Sequence, residues 1–126
     1  MKKGLNLKII KQIDKSNMLD LLFDFPLQCK GAGDIAGKAK ILFEERNFTK
    51  IVFAGLGGSA IGADLARSYL YFESNIPITV CREYELPGYV DNSTLIFISS
   101  YSGNTEETLS AYKQAREKEA KLIVIS

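Results

Sequence analysis

Ser100, Ser102 and Thr105 place three hydroxyls within six residues, directly after the apolar run Thr94–Ser99 and directly before a helical pattern. Each hydroxyl can donate one hydrogen bond to an anionic oxygen. At a strand-to-helix junction they are joined by unpaired backbone N–H groups and the positive end of the helix dipole, a setting that suits phosphate. A second such junction is Gly55-Leu56-Gly57-Gly58-Ser59, which follows the apolar Ile51–Ala54. Glycines there permit φ > 0 and a close approach of backbone to ligand. The two loops nominate Gly57, Gly58, Ser59, Ser100, Ser102 and Thr105 as a neutral, hydroxyl-lined phosphate site. Glu106 and Glu107 would complement the helix N-terminus, since a carboxylate aimed at a phosphate is repelled.

Each loop also has a plainer reading. Ser, Asn and Thr at 100–105 could serve only as helix caps, with Asn104 and Glu107 forming a capping box. Gly55-x-Gly57-x-x-Ala60 fits a dinucleotide fingerprint in its G/A form, with Glu83 as the ribose-binding acid, although Glu83 lies further on than the about 20 residues expected. A nicotinamide-binding domain therefore stays open on this loop alone. A P-loop is excluded, because Ala63 and Asp64 stand where Lys and Ser/Thr are required after Gly62. Tyr101 fits either the border of a sugar or a buried position.

Composition narrows the chemistry. There is no histidine, which removes the usual base near neutral pH, the usual zinc ligand and any Ser-His-Asp or Cys-His system. The two cysteines, Cys29 and Cys81, are too far apart for a Cys-x-x-Cys pair and lie in apolar surroundings, so both are expected to be buried free thiols. Sixteen basic against 15 acidic side chains give a net charge of +1, which offers no case for nucleic acid. No apolar run approaches a membrane span, and Met1-Lys2-Lys3 does not lead into a signal-peptide core. The expectation is a cytoplasmic protein.

These loops need elements to hold them. Apolar residues at Ile9, Ile10 and Ile13, then Met18, Leu21, Leu22 and Phe25, predict helix interrupted around Asp14–Asn17, with Ser16 or Asn17 capping the second piece and Pro26 ending it. A further helix from Gly33 or Asp34 to Arg46 would bury Ile35, Ala39, Leu42 and Phe43, with Asn47 as a left-handed stop. After the glycine turn, Ile61, Leu65, Tyr69 and Phe72 recur at helical spacing, and Tyr69, Tyr71 and Phe72 read as core or subunit contacts. Strands are predicted at 51–54, 78–82, 94–99 (apolar enough to be covered on both faces) and 121–126. The connection 85–93 has turn signals and room for one helical turn at most. A helix from Glu106 to about Lys118 would turn Leu109, Tyr112 and Ala115 inward. Alternating strands and helices imply an α/β doubly wound, mostly parallel sheet. In the flavodoxin-like order its first and third strands are neighbours, and both loops then face one crevice at their carboxyl ends.

At these residues the chain resembles a known family. Gly57-Gly58-Ser59 and Ser100-Tyr101-Ser102-Gly103-Asn104-Thr105-x-Glu107 are similar to the sugar isomerase (SIS) domain. They resemble in particular the N-terminal domain of the bifunctional phosphoglucose/phosphomannose isomerases of archaea and some bacteria. The resemblance implies a helical leader over residues 1–48, packing on the N-terminal part of a SIS domain over 49–126 that is incomplete at its C-terminus. It implies interconversion of glucose 6-phosphate or mannose 6-phosphate with fructose 6-phosphate through an enediol, without cofactor, by a homodimer in the full-length protein. Ser59, Ser100, Ser102 and Thr105 would hold the sugar phosphate, while Gly57 and Gly58 shape the turn. The Glu, His and Lys that act on the sugar belong to later parts of family members, so no catalytic residue is expected here. An inactive fragment is the expectation, with a non-catalytic phosphosugar sensor as the alternative.

Overall fold

The computed structural model describes residues 6–40 and 48–126. The chain divides into two units, Met1–Phe43 and Glu44–Ser126. In the first, three helices are set by local signals: α1 (Leu7–Ile13), α2 (Met18–Phe23) and α3 (Phe25–Lys38), none with a buried residue. Asn6 Oδ1 accepts from the Ile9 N–H at 3.0 Å and caps α1. The expected break at 14–17 is present, but neither Ser16 nor Asn17 caps α2. Asn17 is left-handed at φ 56° and makes no side-chain cap. Asp14 does the capping, accepting from the Met18 and Leu19 N–H groups at 2.8 Å each. The Leu19 and Met18 donors hold its carboxyl below the ordinary range.

Pro26 does not end a helix; it stands in the first turn of α3, where its missing N–H costs nothing. The helix expected to begin near Gly33 thus begins at Phe25 and ends at Lys38. Ile35 and Ala39, expected to be buried, are exposed, as is Cys29, expected as a buried thiol. Leu42, Phe43, Arg46 and Asn47 lie outside the described residues.

The second unit is a four-stranded parallel sheet of β1 (Lys50–Gly55), β2 (Ile78–Cys81), β3 (Thr94–Ser99) and β4 (Lys121–Ile125), in the order β2-β1-β3-β4. This is the expected order, with the first and third strands adjacent. Helix α4 (Gly58–Tyr69) joins β1 to β2 and α5 (Glu106–Glu117) joins β3 to β4. The two crossovers leave the sheet centre in opposite directions, so right-handedness puts their helices on opposite faces. Between β2 and β3 the chain returns by turns without a helix. It contributes Leu86 and Val90 to a core with Val52, Ala54, Cys81, Ile96, Ile98 and, from α5, Ala111 and Ala115. The other face carries Phe53 and Phe97, stacked with centroids 4.7 Å apart and only half-buried. Burial in β3 alternates accordingly, rather than being complete on both faces as its apolar run suggested.

Both helices present alanines to the sheet. In α4 the buried residues are Ala60 and Ala63, while Ile61, Leu65 and Tyr69 are exposed, along with Tyr71 and Phe72 beyond the helix. The core reading of those aromatics does not hold. In α5 the buried residues are Thr108, Ala111 and Ala115; Leu109 and Tyr112, expected inward, stay more than a third exposed. Small side chains let a helix axis approach the sheet, and that close packing outweighs burial of the bulkier stripe about 100° away on the same helix.

Candidate functional site

The carboxyl ends of β1 and β3 lie side by side because Gly55 pairs with Ser99 in register. The approach is tight: a Cβ built on Gly55 would stand 2.9 Å from the Ser99 carbonyl oxygen. Only glycine allows the two loops to leave the sheet so close together. After Gly55 the chain turns through Gly57, at φ 50° and ψ −126°, a conformation that side chains disfavour. Helix α4 then starts at Gly58, and no side chain caps it. The opening of α4 supplies fewer free donors than its sequence promised. The Ser59 N–H turns onto the Leu56 carbonyl at 3.0 Å and the Ala60 N–H onto that of Gly57 at 3.2 Å.

The second loop is the better anion cradle. Ser100 and Thr105 hydroxyls lie 3.0 Å apart, and the Ser102 hydroxyl is 3.4 Å from Thr105 Oγ1, so the three form one cluster. The Gly103 N–H donates to the Ser100 carbonyl at 3.2 Å and the Asn104 N–H to Ser102 Oγ at 3.3 Å, closing the loop, with Gly103 left-handed at φ 65°. The expected Asn104–Glu107 capping box is not formed. The N-cap of α5 is Thr105, and its side chain makes no cap hydrogen bond. The first N–H to find a helical acceptor is that of Leu109, on the Thr105 carbonyl at 3.0 Å. The preceding N–H groups of the first turn therefore point out of the helix end without intrahelical partners. The hydroxyls do not consume these donors; they add to them.

A cleft of about 490 Å³ opens between the two loops, lined by Gly58, Ser59, Ser99, Tyr101, Ile125 and Ser126. The structure thus brings Gly58 and Ser59 to one wall, with Gly57 as their turn. It gathers Ser100, Ser102 and Thr105 into a cluster on the adjoining loop. Tyr101 is exposed at the rim, so of its two readings burial is excluded. Three lining residues were missed: Ser99, Ile125 and Ser126. Ser99 follows from the register of β3 with β1. Ser126 follows from the strand order, which sets β4 beside β3; the Ser100 N–H donates to the Ile125 carbonyl at 3.0 Å, and Ser126 Oγ lies 3.3 Å from where a Gly103 Cβ would be.

No Lys or Arg lines this cleft, so attraction for an anion rests on N–H and O–H dipoles. Of the first-turn carboxylates, Glu106 Oε2 accepts from the Tyr84 hydroxyl at 3.2 Å. That hydrogen bond, together with the charge of Glu107, raises the Tyr84 pKa above its usual value and keeps it a donor. Glu83 was the alternative ribose-binding acid. It follows β2, on the far side of β1 from the hydroxyl cluster. Among the described residues no group of three His, Cys, Asp or Glu could hold a metal ion, and no helix is long and apolar enough to cross a membrane.

Residues 43–126 match the SIS domain family. The chain is 45% identical over 109 residues to a bifunctional phosphoglucose/phosphomannose isomerase of Caldicellulosiruptor bescii, covering 86% of this chain and 32% of that protein. It is 50% identical over 66 residues to the protein of the same name from Aquifex aeolicus, covering 52% of this chain and 21% of that one. Among solved structures it resembles a putative phosphosugar isomerase from Salmonella typhimurium, with a TM-score of 0.56 and 28% identity, covering 73% of this chain and 27% of that one. The chain spans less than a third of the length of these relatives.

Proposed function

The chain belongs to the SIS domain family, and from that premise we propose that it is the sugar-phosphate-holding part of an aldose–ketose isomerase. The substrates in this reading are glucose 6-phosphate or mannose 6-phosphate and fructose 6-phosphate, as the names of the curated relatives suggest. One observation carries the proposal: three clustered hydroxyls above a helix N-terminus that no side chain caps. A phosphate entering there would exchange the Ser100–Thr105 hydrogen bond for charge-assisted ones and accept the free N–H groups of the first turn of α5. Gly58 and Ser59 line the adjoining cleft, whose lining does not include Ser100, Ser102 or Thr105. The sugar then projects along the cleft past Tyr101.

Isomerisation through an enediol needs a base that takes a proton next to the carbonyl. The chain has no histidine and no carboxylate lines the cleft, so in this reading the chain binds without turning over. The full-length protein would be a cytoplasmic homodimer needing no metal or organic cofactor. A non-catalytic phosphosugar sensor is the alternative, and turnover by the full-length protein separates the two.

Isothermal titration calorimetry with fructose 6-phosphate, and with fructose as the control, tests the site. Fructose 6-phosphate is expected to bind and fructose not. Thr105→Val should weaken binding roughly tenfold or more, since a hydrogen bond to a charged group contributes about 1.5–3 kcal/mol. Equal binding of both sugars, or unchanged affinity in the Thr105 variant, overturns the assignment. Binding of NAD in preference to the sugar phosphate would restore the dinucleotide reading.

A further inference from the structure

The phosphate site as read above contains an internal competitor. Glu106 is the first residue of α5, directly after Thr105. A carboxylate in that position is drawn to the open N–H groups of its own helix, and once there it both occupies them and repels a phosphate dianion. Something must keep it aside for an anion to enter.

We propose that Tyr84 is a positioning residue for this site, whose hydroxyl holds the Glu106 carboxylate away from the N-terminus of α5. The inference rests on the phosphate reading of the Ser100–Thr105 cluster. Its geometry is a chain of fixed contacts within one unit. Tyr84 lies in the helixless return between β2 and β3, and α5 itself clasps that return through Gln114. The Gln114 amide donates to the Tyr84 carbonyl at 2.7 Å, and its oxygen accepts from the Leu86 N–H at 3.0 Å. The same amide nitrogen donates to Ser110 Oγ at 3.0 Å, which fixes its orientation. Just after it, Cys81 Sγ donates to the Glu85 carbonyl at 3.4 Å and Leu86 is buried in the core. With its own carbonyl and the two residues after it held, Tyr84 extends its ring to the start of α5 and donates to Glu106 Oε2 at 3.2 Å. Glu106 and Gln114 are eight residues apart on one helix, a little over two turns. The clasp and the carboxylate therefore move together, and Tyr84 is placed by the same helix whose end it keeps clear.

The test uses Tyr84→Phe, Glu106→Gln and the double variant, with two readouts. In ligand-free protein, the amide resonances of Glu107 and Thr108 are followed by NMR. Tyr84→Phe should shift them as the released carboxylate turns onto the helix end, and Glu106→Gln should reverse the shift. In titrations with fructose 6-phosphate, Tyr84→Phe should bind about five- to tenfold more weakly, a range within what one charge at a helix N-terminus confers. The double variant should recover wild-type affinity or better. A residue that merely packs would give weaker binding that Glu106→Gln does not rescue. Unmoved amides in Tyr84→Phe, or a double variant as weak as Tyr84→Phe, overturn the proposal. A wild-type protein that fails to bind fructose 6-phosphate defeats the phosphosugar reading instead, and the ligand-free amides still decide whether Tyr84 restrains Glu106.

Discussion

Among single residues, Asp91 ties together the amino ends of the two central strands. Its carboxylate accepts from Lys50 Nζ at 2.6 Å, from the Ser93 N–H and hydroxyl at 2.9 and 2.7 Å, and from Thr94 Oγ1 at 3.2 Å. Lys50 first, and then Ser93, hold its carboxyl well below the usual carboxylate range. A folded-state pKa below the unfolded value of about 3.9 means that the stabilisation is complete above that pH and is lost as the pH falls below it. Asp91→Asn should therefore melt at a lower temperature than wild type at neutral pH. The gap should narrow progressively as the pH falls from about 5 towards 2, because only the wild type has this carboxylate to protonate. Melting curves across that range check it; a gap independent of pH would assign the loss to packing. The Asp91-Asn92 turn was visible in the sequence, but its ion pair with a lysine 41 residues away was not.

At the scale of elements, Gly55 decides whether β1 and β3 can lie in register at the site. An alanine there would push its Cβ to 2.9 Å from a main-chain oxygen of a paired strand, which has little freedom to yield. Gly55→Ala should cost on the order of 1–3 kcal/mol, in the range of overpacked interiors. Gly58→Ala, which meets open space at the first residue of α4, should cost far less. Urea denaturation of the two variants compares them directly, and equal losses would show that the close approach is not the constraint. The elements themselves were largely legible. The predicted ranges of β2 and β4 differ from the observed ones by a single residue at one end, that of β1 by one residue at each end, and that of β3 not at all. Helix faces were less so, because α4 and α5 each carry both a bulky stripe and an alanine stripe, and only the sheet selects between them. The caps at Asp14 and Thr105 were misplaced because several Ser, Asn, Asp and Thr compete at each junction, and local sequence does not rank them. Pro26 was ambiguous in a similar way, since proline both follows helices and opens them.

For the whole molecule, the strand order brought the two candidate loops together; the alternation of elements implied a doubly wound sheet, and this order was one hypothesis for its arrangement. The placement of Ser126 beside Gly103 was implied by the same order but requires β4 to be followed to its last residue. Conversely, the contact of Tyr84 with Glu106 depends on how a helixless return lies across α5, which no periodicity describes. The neighbouring loops of the site belong to strands that are not consecutive: Thr49 and Ser93, at the amino ends of β1 and β3, meet through their hydroxyls at 2.7 Å across 44 residues. The β1–α4–β2 unit can assemble from shorter-range contacts, whereas β1 and β3 must close a longer loop before their pairing repays the lost entropy. The cleft is accordingly expected to form late in folding. After dilution from urea, far-UV circular dichroism should recover before the capacity to bind fructose 6-phosphate, and simultaneous recovery would show that β1–β3 pairing belongs to the nucleus. If fructose 6-phosphate binds across this seam, as proposed, it should speed refolding only if the seam already closes in the transition state. The ligand effect on refolding and unfolding rates thus dates the pairing of Gly55 with Ser99.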